Sequence, residues 1–251
     1  WLMRLDARGR VATRLDIADE SPPRRFDGHV VAAADGRVLY TTETDTRSGA
    51  GRIGVRDAES FRKLDDWPSH GLEPHQLLTD SDGGIVVANG GIRRGPEDRK
   101  LDLDRMDSSL VRLDARSGAL RGHWKLPDAR LSMRHLAWGR DGRLGIALQA
   151  EHDDVETRRV APALAVWDGG RLSTPPGGEG YAGDIAAAPG GGFVISHAMR
   201  DVAWWWHPAA PERMVTVAQL QRAYALAGAE WNPTVLIAAA RRDRSHWRPP
   251  W

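Results

Sequence analysis

The sequence predicts an all-β fold, specifically a β-propeller of four-stranded blades of which this chain forms an incomplete arc. Three observations predict it. A hairpin with a Gly-containing turn recurs along the chain, and a second hairpin follows each of its first three copies. The copies are spaced at roughly 40–60 residues, the period of propeller repeats.

The first hairpin runs from His29 through Asp35-Gly36 to Thr42. It recurs from His75 through Asp82-Gly83 to Asn89, from His135 through Asp141-Gly142 to Gln149, and from Asp184 through Gly190-Gly191-Gly192 to His197. Asp-Gly and Gly-Gly suit tight hairpin turns, because one turn position needs positive φ. The second hairpin is clearest at Leu110–Leu120, and returns at Ile53–Ala58 and Leu164–Gly170. Leu2–Gly9 reads as another copy, and Ala203–Pro208 as an eroded one. The units fall at about 28–67, 75–126, 134–174 and 183–218, with half units at 1–16 and 224–240 and a fifth first hairpin starting near Ala229. The whole is expected to be one domain. Met214–Ala229 has helical composition, but the repeat predicts a strand over Met214–Ala218 and then a turn. A β-sandwich is the alternative, against which the regular spacing and the grouping in fours count.

Composition narrows the function. Lys+Arg 35 against Asp+Glu 34 gives a formal net charge of +1, so no broad field draws nucleic acid or acidic lipid. With no Cys, disulfides and thiolate metal sites are excluded. The apolar runs, such as Val30–Ala34 and Val235–Ala240, are strand-sized, so no transmembrane segment and no signal peptide is predicted. Trp1 opens directly into a strand-like run, and Ser245–Trp251 does not read as a domain ending. Both ends are therefore expected to be truncated, which favours an arc of a larger ring over a closed five-bladed one. The basic Arg241–Arg244 tail with Trp247 and Trp251 is not read as a nucleic-acid tract.

Several segments carry a resemblance to a known family: His70–Leu78, Val86–Ile92, Lys100–Leu103, Met106–Val111, Tyr40–Asp45 and Leu131–Ala137. In these the chain resembles the bacterial domain-of-unknown-function family 1513, over about residues 1–240 and most closely over 28–138. The resemblance implies a seven-bladed propeller of the YVTN/quinoprotein-like type. It also implies Tat-type export to the periplasm and a gene neighbourhood of imelysin-like and dihaem peroxidase-like iron-uptake proteins. The chain departs from the family pattern at Gln149-Ala150-Glu151-His152 and at Asp184, where the family has a small residue.

Antiparallel pairing brings the starts of first strands and the ends of second strands to one face. The ligand-binding candidates on that face are His29, Glu43, Asp45, His70, His75, Asn89, Arg134, His135, Gln149, Asp184 and His197. Gly90–Ser109 is expected to be a charged lid or rim there, with Asn89-Gly90-Gly91 a strand-end reversal rather than an anion nest. His75 and His135 are the metal candidates, since neutral imidazole is a transition-metal ligand. Each His has an alternative role, tying loop backbone between repeats. No nucleophile signature, haem-attachment motif or dinucleotide fingerprint occurs, so no catalytic residue is named and no cofactor is predicted beyond that metal ion. The leading expectation is a periplasmic propeller that binds an envelope protein or a small ligand in an iron-related system. The alternatives are a metal-binding or redox enzyme using these histidines, and a purely structural accessory domain.

Overall fold

In the computed structural model the chain is described over residues 1–18, 20–219, 221–228 and 236–239. The expected hairpin start near Ala229 and the Arg241–Trp251 tail lie outside the described residues. Contacts divide the chain into two compact units, Trp1–Arg94 with Lys100–His123, and Gly95–Arg99 with Trp124–Trp251.

The first unit opens with a hairpin of β1 (Leu2–Leu5) and β2 (Val11–Leu15). β3 (Arg24–Ala32), β4 (Val38–Asp45), β5 (Ala50–Asp57) and β6 (Lys63–Leu72) pair in sequence order. A second sheet takes β7 (Pro74–Thr79) and β8 (Gly84–Asn89). The chain then makes the short pair β9 (Arg93–Arg94) and β10 (Lys100–Leu101), and returns with β11 (Ser109–Asp114) and β12 (Leu120–Trp124). The turns follow the chemistry read from the sequence: Gly83 and Gly142 adopt φ of 75° and 80°. In the second hairpins an Asp stabilises the turn by accepting backbone N–H groups. Asp114 Oδ1 takes those of Arg116 and Ser117, both at 3.0 Å, and Asp57 and Asp168 do the same in their own turns.

The core of this unit joins Tyr40, Ile53, Val55, Trp67, Leu77, Ile85, Val87, Val111 and Leu113. All of β8 is buried, which explains its unbroken apolar run, since a strand covered on both faces has no polar side to alternate with. Full burial of each such Val, Ile or Leu contributes roughly 1.5–3 kcal/mol.

In the second unit β13 (Leu131–Trp138), β14 (Leu144–Ala150), β15 (Leu164–Trp167) and β16 (Leu172–Ser173) form one sheet. β17 (Asp184–Ala187), β18 (Phe193–His197), β19 (Val202–Trp206) and β20 (Met214–Gln219) form the next. β21 (Ala225–Gly228) pairs with β22 (Leu236–Ala239), and a short helix, α1 (Val155–Val160), follows β14. β20 is the strand the repeat predicts over Met214–Ala218, paired to β19 against its helical composition. Strand alternation places Trp204 and Trp206 against one cluster and Trp205 against another. Trp206 stacks on Phe193 with centroids 6.1 Å apart, and Trp205 Nε1 donates to the Gly191 carbonyl at 2.8 Å.

The β-propeller expectation, including the seven-bladed YVTN-type ring that the family resemblance implies, is corrected here. The described strands form four four-stranded and three two-stranded antiparallel sheets, each open, and none is closed or curled into a blade arc. The reason is physical. Turn spacing reports which consecutive strands pair, a local property. Curl and closure depend on strand twist and on packing between sheets, about which turn spacing carries no information.

Candidate metal centre

Two histidines of the first unit lie on first strands, His75 near the start of its strand and His29 within its own, which reaches back to Arg24. His29 lies on β3 and His75 on β7, both half-buried, with ring centroids 5.2 Å apart and planes at 54°. Their backbones meet at Thr42, a fully buried residue of β4. Its Oγ1 accepts the His29 N–H at 3.2 Å and lies 3.3 Å from the His29 carbonyl and 3.5 Å from that of His75. A hydroxyl has one hydrogen, so it donates to one of those carbonyls at a time.

His75 is approached through a locked corner. Residues His70 and Glu73 hold positive φ, 55° and 51°. Gly90 and Gly91 donate their N–H groups to the carbonyls of Glu73 and Leu72 at 2.8 and 3.0 Å. These backbone ties make Asn89-Gly90-Gly91 the expected reversal. Asn89, fully buried, donates to the Ser69 carbonyl at 3.0 Å and to Ser109 Oγ at 3.2 Å, and a Cβ on Gly71 would lie 2.5 Å from its side chain. Arg94 Nε reaches Glu73 at 2.7 Å, which anchors the Gly90–Ser109 segment to the corner.

Asp27, two residues before His29, is not marked out by any sequence motif. Its carboxyl is pushed up to about 6, first by burial; Thr44 Oγ1, at 2.6 Å, and Arg25 pull it down, while Glu73 pushes it up.

His135 is half-buried on β13 of the second unit. Its Nδ1 is 2.8 Å from the Gly183 carbonyl and 3.2 Å from Asp184 Oδ1. A carbonyl only accepts, so Nδ1 carries the proton and the lone pair of the neutral ring lies on Nε2. Asp184 also accepts the N–H of Ile185 and, through Oδ2, that of Leu226, both at 2.8 Å.

His29, His75 and His135 form a triad capable of coordinating a metal ion: each offers one ligand nitrogen, and the three lie within 4.8 Å of one another. The sequence marks His75 and His135 as metal candidates, and the structure adds His29. Tetrahedral ligation at about 2.1 Å sets nitrogens about 3.4 Å apart.

The other sequence candidates have partners elsewhere. Glu43 is fully buried against Arg56, with Oε1 2.8 Å from Nη2, and accepts from Thr41 Oγ1 at 2.7 Å. Asp45 caps its turn, accepting from Ser48 and Arg47 N–H and pairing with Arg24; the first of these bonds leads in holding its carboxyl at about 2. His70 is exposed, its pKa lowered by desolvation and by the nearby His123 and Arg52. Arg134 is buried and Gln149 Nε2 lies 3.4 Å from the Ala182 carbonyl. His197 is buried against Tyr181 and Trp204, at 5.0 and 5.4 Å.

The expected binding role on a propeller channel is corrected, because the open sheets supply no such channel architecture. The histidine triad fits the metal-binding alternative better. Among the described residues, no helix is long and apolar enough to cross a membrane.

No curated protein matches the chain. Among solved structures it is similar to a catalytically inactive His-to-Ala variant of virginiamycin B lyase from Staphylococcus aureus with quinupristin. That likeness has a TM-score of 0.57 at 10% identity, over 84% of this chain and 62% of that one, so the chain spans less than two thirds of that protein's length. It is also similar to hydrazine synthase from Kuenenia stuttgartiensis, with a TM-score of 0.58 at 12% identity, over 84% of this chain and 70% of that one. At such identities the likeness is one of fold. The family described as protein of unknown function (DUF1513) matches residues 1–243, and the chain belongs to that family.

Proposed function

We propose that this protein is a metal-dependent enzyme whose transition-metal centre is held by His29, His75 and His135. The observation that carries the reading is the convergence of three imidazole nitrogens within 4.8 Å. Three imidazoles so close repel one another when protonated, whereas neutral rings together suit zinc, copper, iron or nickel. Calcium and magnesium call for oxygen donors and are disfavoured by this set. Three protein ligands leave a coordination position for water or substrate, the arrangement of catalytic rather than structural sites. An ion of this class supplies Lewis acidity and an activated water, or redox chemistry if it is copper or iron. The protein's own contribution is to place the ligands: Thr42 ties the His29 and His75 backbones, and Gly183 with Asp184 holds the His135 ring.

The test is metal content of the untagged protein by mass spectrometry, beside His29→Ala, His75→Ala and His135→Ala. One equivalent of metal in the parent and little in any variant, all folded, supports the centre. A metal-free parent that also ignores added Zn, Cu, Fe and Ni excludes it. The family resemblance supports a periplasmic location, which fractionation of cells expressing the natural gene would check.

A further inference from the structure

The geometry points to Asp184 as the positioning residue of the metal centre: its carboxylate orients His135 from behind, so that His135 gives Nε2 to the ion. This rests on the metal-centre reading. His135 Nδ1 sits 2.8 Å from the Gly183 carbonyl and 3.2 Å from Asp184 Oδ1, so its proton lies between two acceptors on adjacent residues. That arrangement does three things. It selects the tautomer whose lone pair is on Nε2. It fixes the ring plane. The anionic carboxylate also raises the electron density the ring donates to a cation, as outer carboxylates commonly do for metal-bound histidine.

Asp184 is itself held in place. Oδ1 accepts the Ile185 N–H and Oδ2 the Leu226 N–H, both at 2.8 Å, so the carboxylate cannot swing away without losing two backbone bonds. Leu226 lies on β21. Tyr224, just before that strand, is tied to the same region through Ser196 Oγ on its carbonyl and Tyr181 on its hydroxyl, both at 2.9 Å. Asp184 therefore links the seating of β21 to the orientation of a metal ligand.

Two measurements on the whole protein test this. Zinc affinity by competition with a chromogenic chelator is compared between the parent and Asp184→Asn, which keeps the size and removes the charge. Nitrogen NMR of the apo parent reads which His135 nitrogen carries the proton. The expected results are a roughly 10–100-fold weaker affinity in the variant, and protonated Nδ1 with unprotonated Nε2 in the parent. Equal affinities in the two proteins would overturn the role of Asp184 while leaving the metal centre intact. A parent that binds no zinc, cobalt or copper would remove the metal centre and this role with it. If Asp184→Asn does not fold, the parent spectrum decides: a proton on Nε2 rules the assignment out.

Discussion

Thr42 Oγ1 accepts the backbone N–H of His29 at 3.2 Å from a position with no exposure to solvent. The same oxygen reaches the His75 carbonyl at 3.5 Å. One hydroxyl thus bridges the backbones of two candidate metal ligands. Thr42→Val keeps the shape and removes the polar group, leaving the His29 N–H without that acceptor. The expected cost is about 1–3 kcal/mol of stability, read by urea unfolding, together with weaker zinc binding. Thr42→Ser restores both. Unchanged zinc affinity in a destabilised Thr42→Val protein would reduce Thr42 to a purely structural tie.

Buried charge in the first unit gives a prediction independent of the metal. Arg56 and Glu43 are both fully buried and meet at 2.8 Å, with Glu20 on the other side of the guanidinium at 2.9 Å. Replacing Arg56 by Leu strands a buried carboxylate and is expected to cost about 3–5 kcal/mol. The double replacement of Glu43 and Arg56 by Leu removes both charges and is expected to recover much of that loss. Chemical unfolding of the three proteins checks it. A double variant no more stable than Arg56→Leu would show that the pair is not what holds this region.

How far this is legible in the sequence differs between strand pairing and the site. Hairpins announce themselves, because the Asp-Gly turns and the Asp side chains that brace them are local chemistry, and β20 is readable against its helical composition because the repeat places a strand there. Closure is not readable, since an apolar run such as Ile85–Ala88 is compatible with open or closed sheets alike; the fully buried β8 that carries it looks the same in either. At the site, His75 and His135 are visible as polar residues opening apolar strands. The role of His29 and the contributions of Thr42 and Gly183 depend on neighbours distant in sequence. Thr42 reads as an ordinary strand residue until its hydroxyl is seen against His29 and His75.

His197 makes the stability of the second unit pH-dependent. The residue is 3% exposed, and its pKa is lowered below 6.5, first by burial. Arg200 adds to the lowering, while Glu179 and a backbone hydrogen bond oppose it, and Tyr181 and Trp204 enclose the ring. The unfolded chain then binds this proton more readily than the folded one, so stability rises with pH across the window between the two values. The contribution is complete above about 6.5 and is lost as pH falls through the lower folded value. Unfolding midpoints followed from neutral pH down into the acid range are expected to fall less steeply in His197→Phe than in the parent. Parallel curves would assign the acid sensitivity to other groups.

Metal removal tests the centre through folding rather than activity. An ion bound only by the folded chain stabilises it by about 2.7 kcal/mol when free metal is roughly 100 times the dissociation constant. For a chain of this size that is a rise in melting temperature of roughly 5–10 °C. The parent is expected to show that rise with zinc and to lose it with EDTA, and His75→Ala to melt at the same temperature with or without zinc. The comparison separates specific binding from weak surface association, because exposed histidines such as His70 and His123 remain in the variant. An equal zinc response in parent and His75→Ala would place the ion on those surface residues instead of the triad.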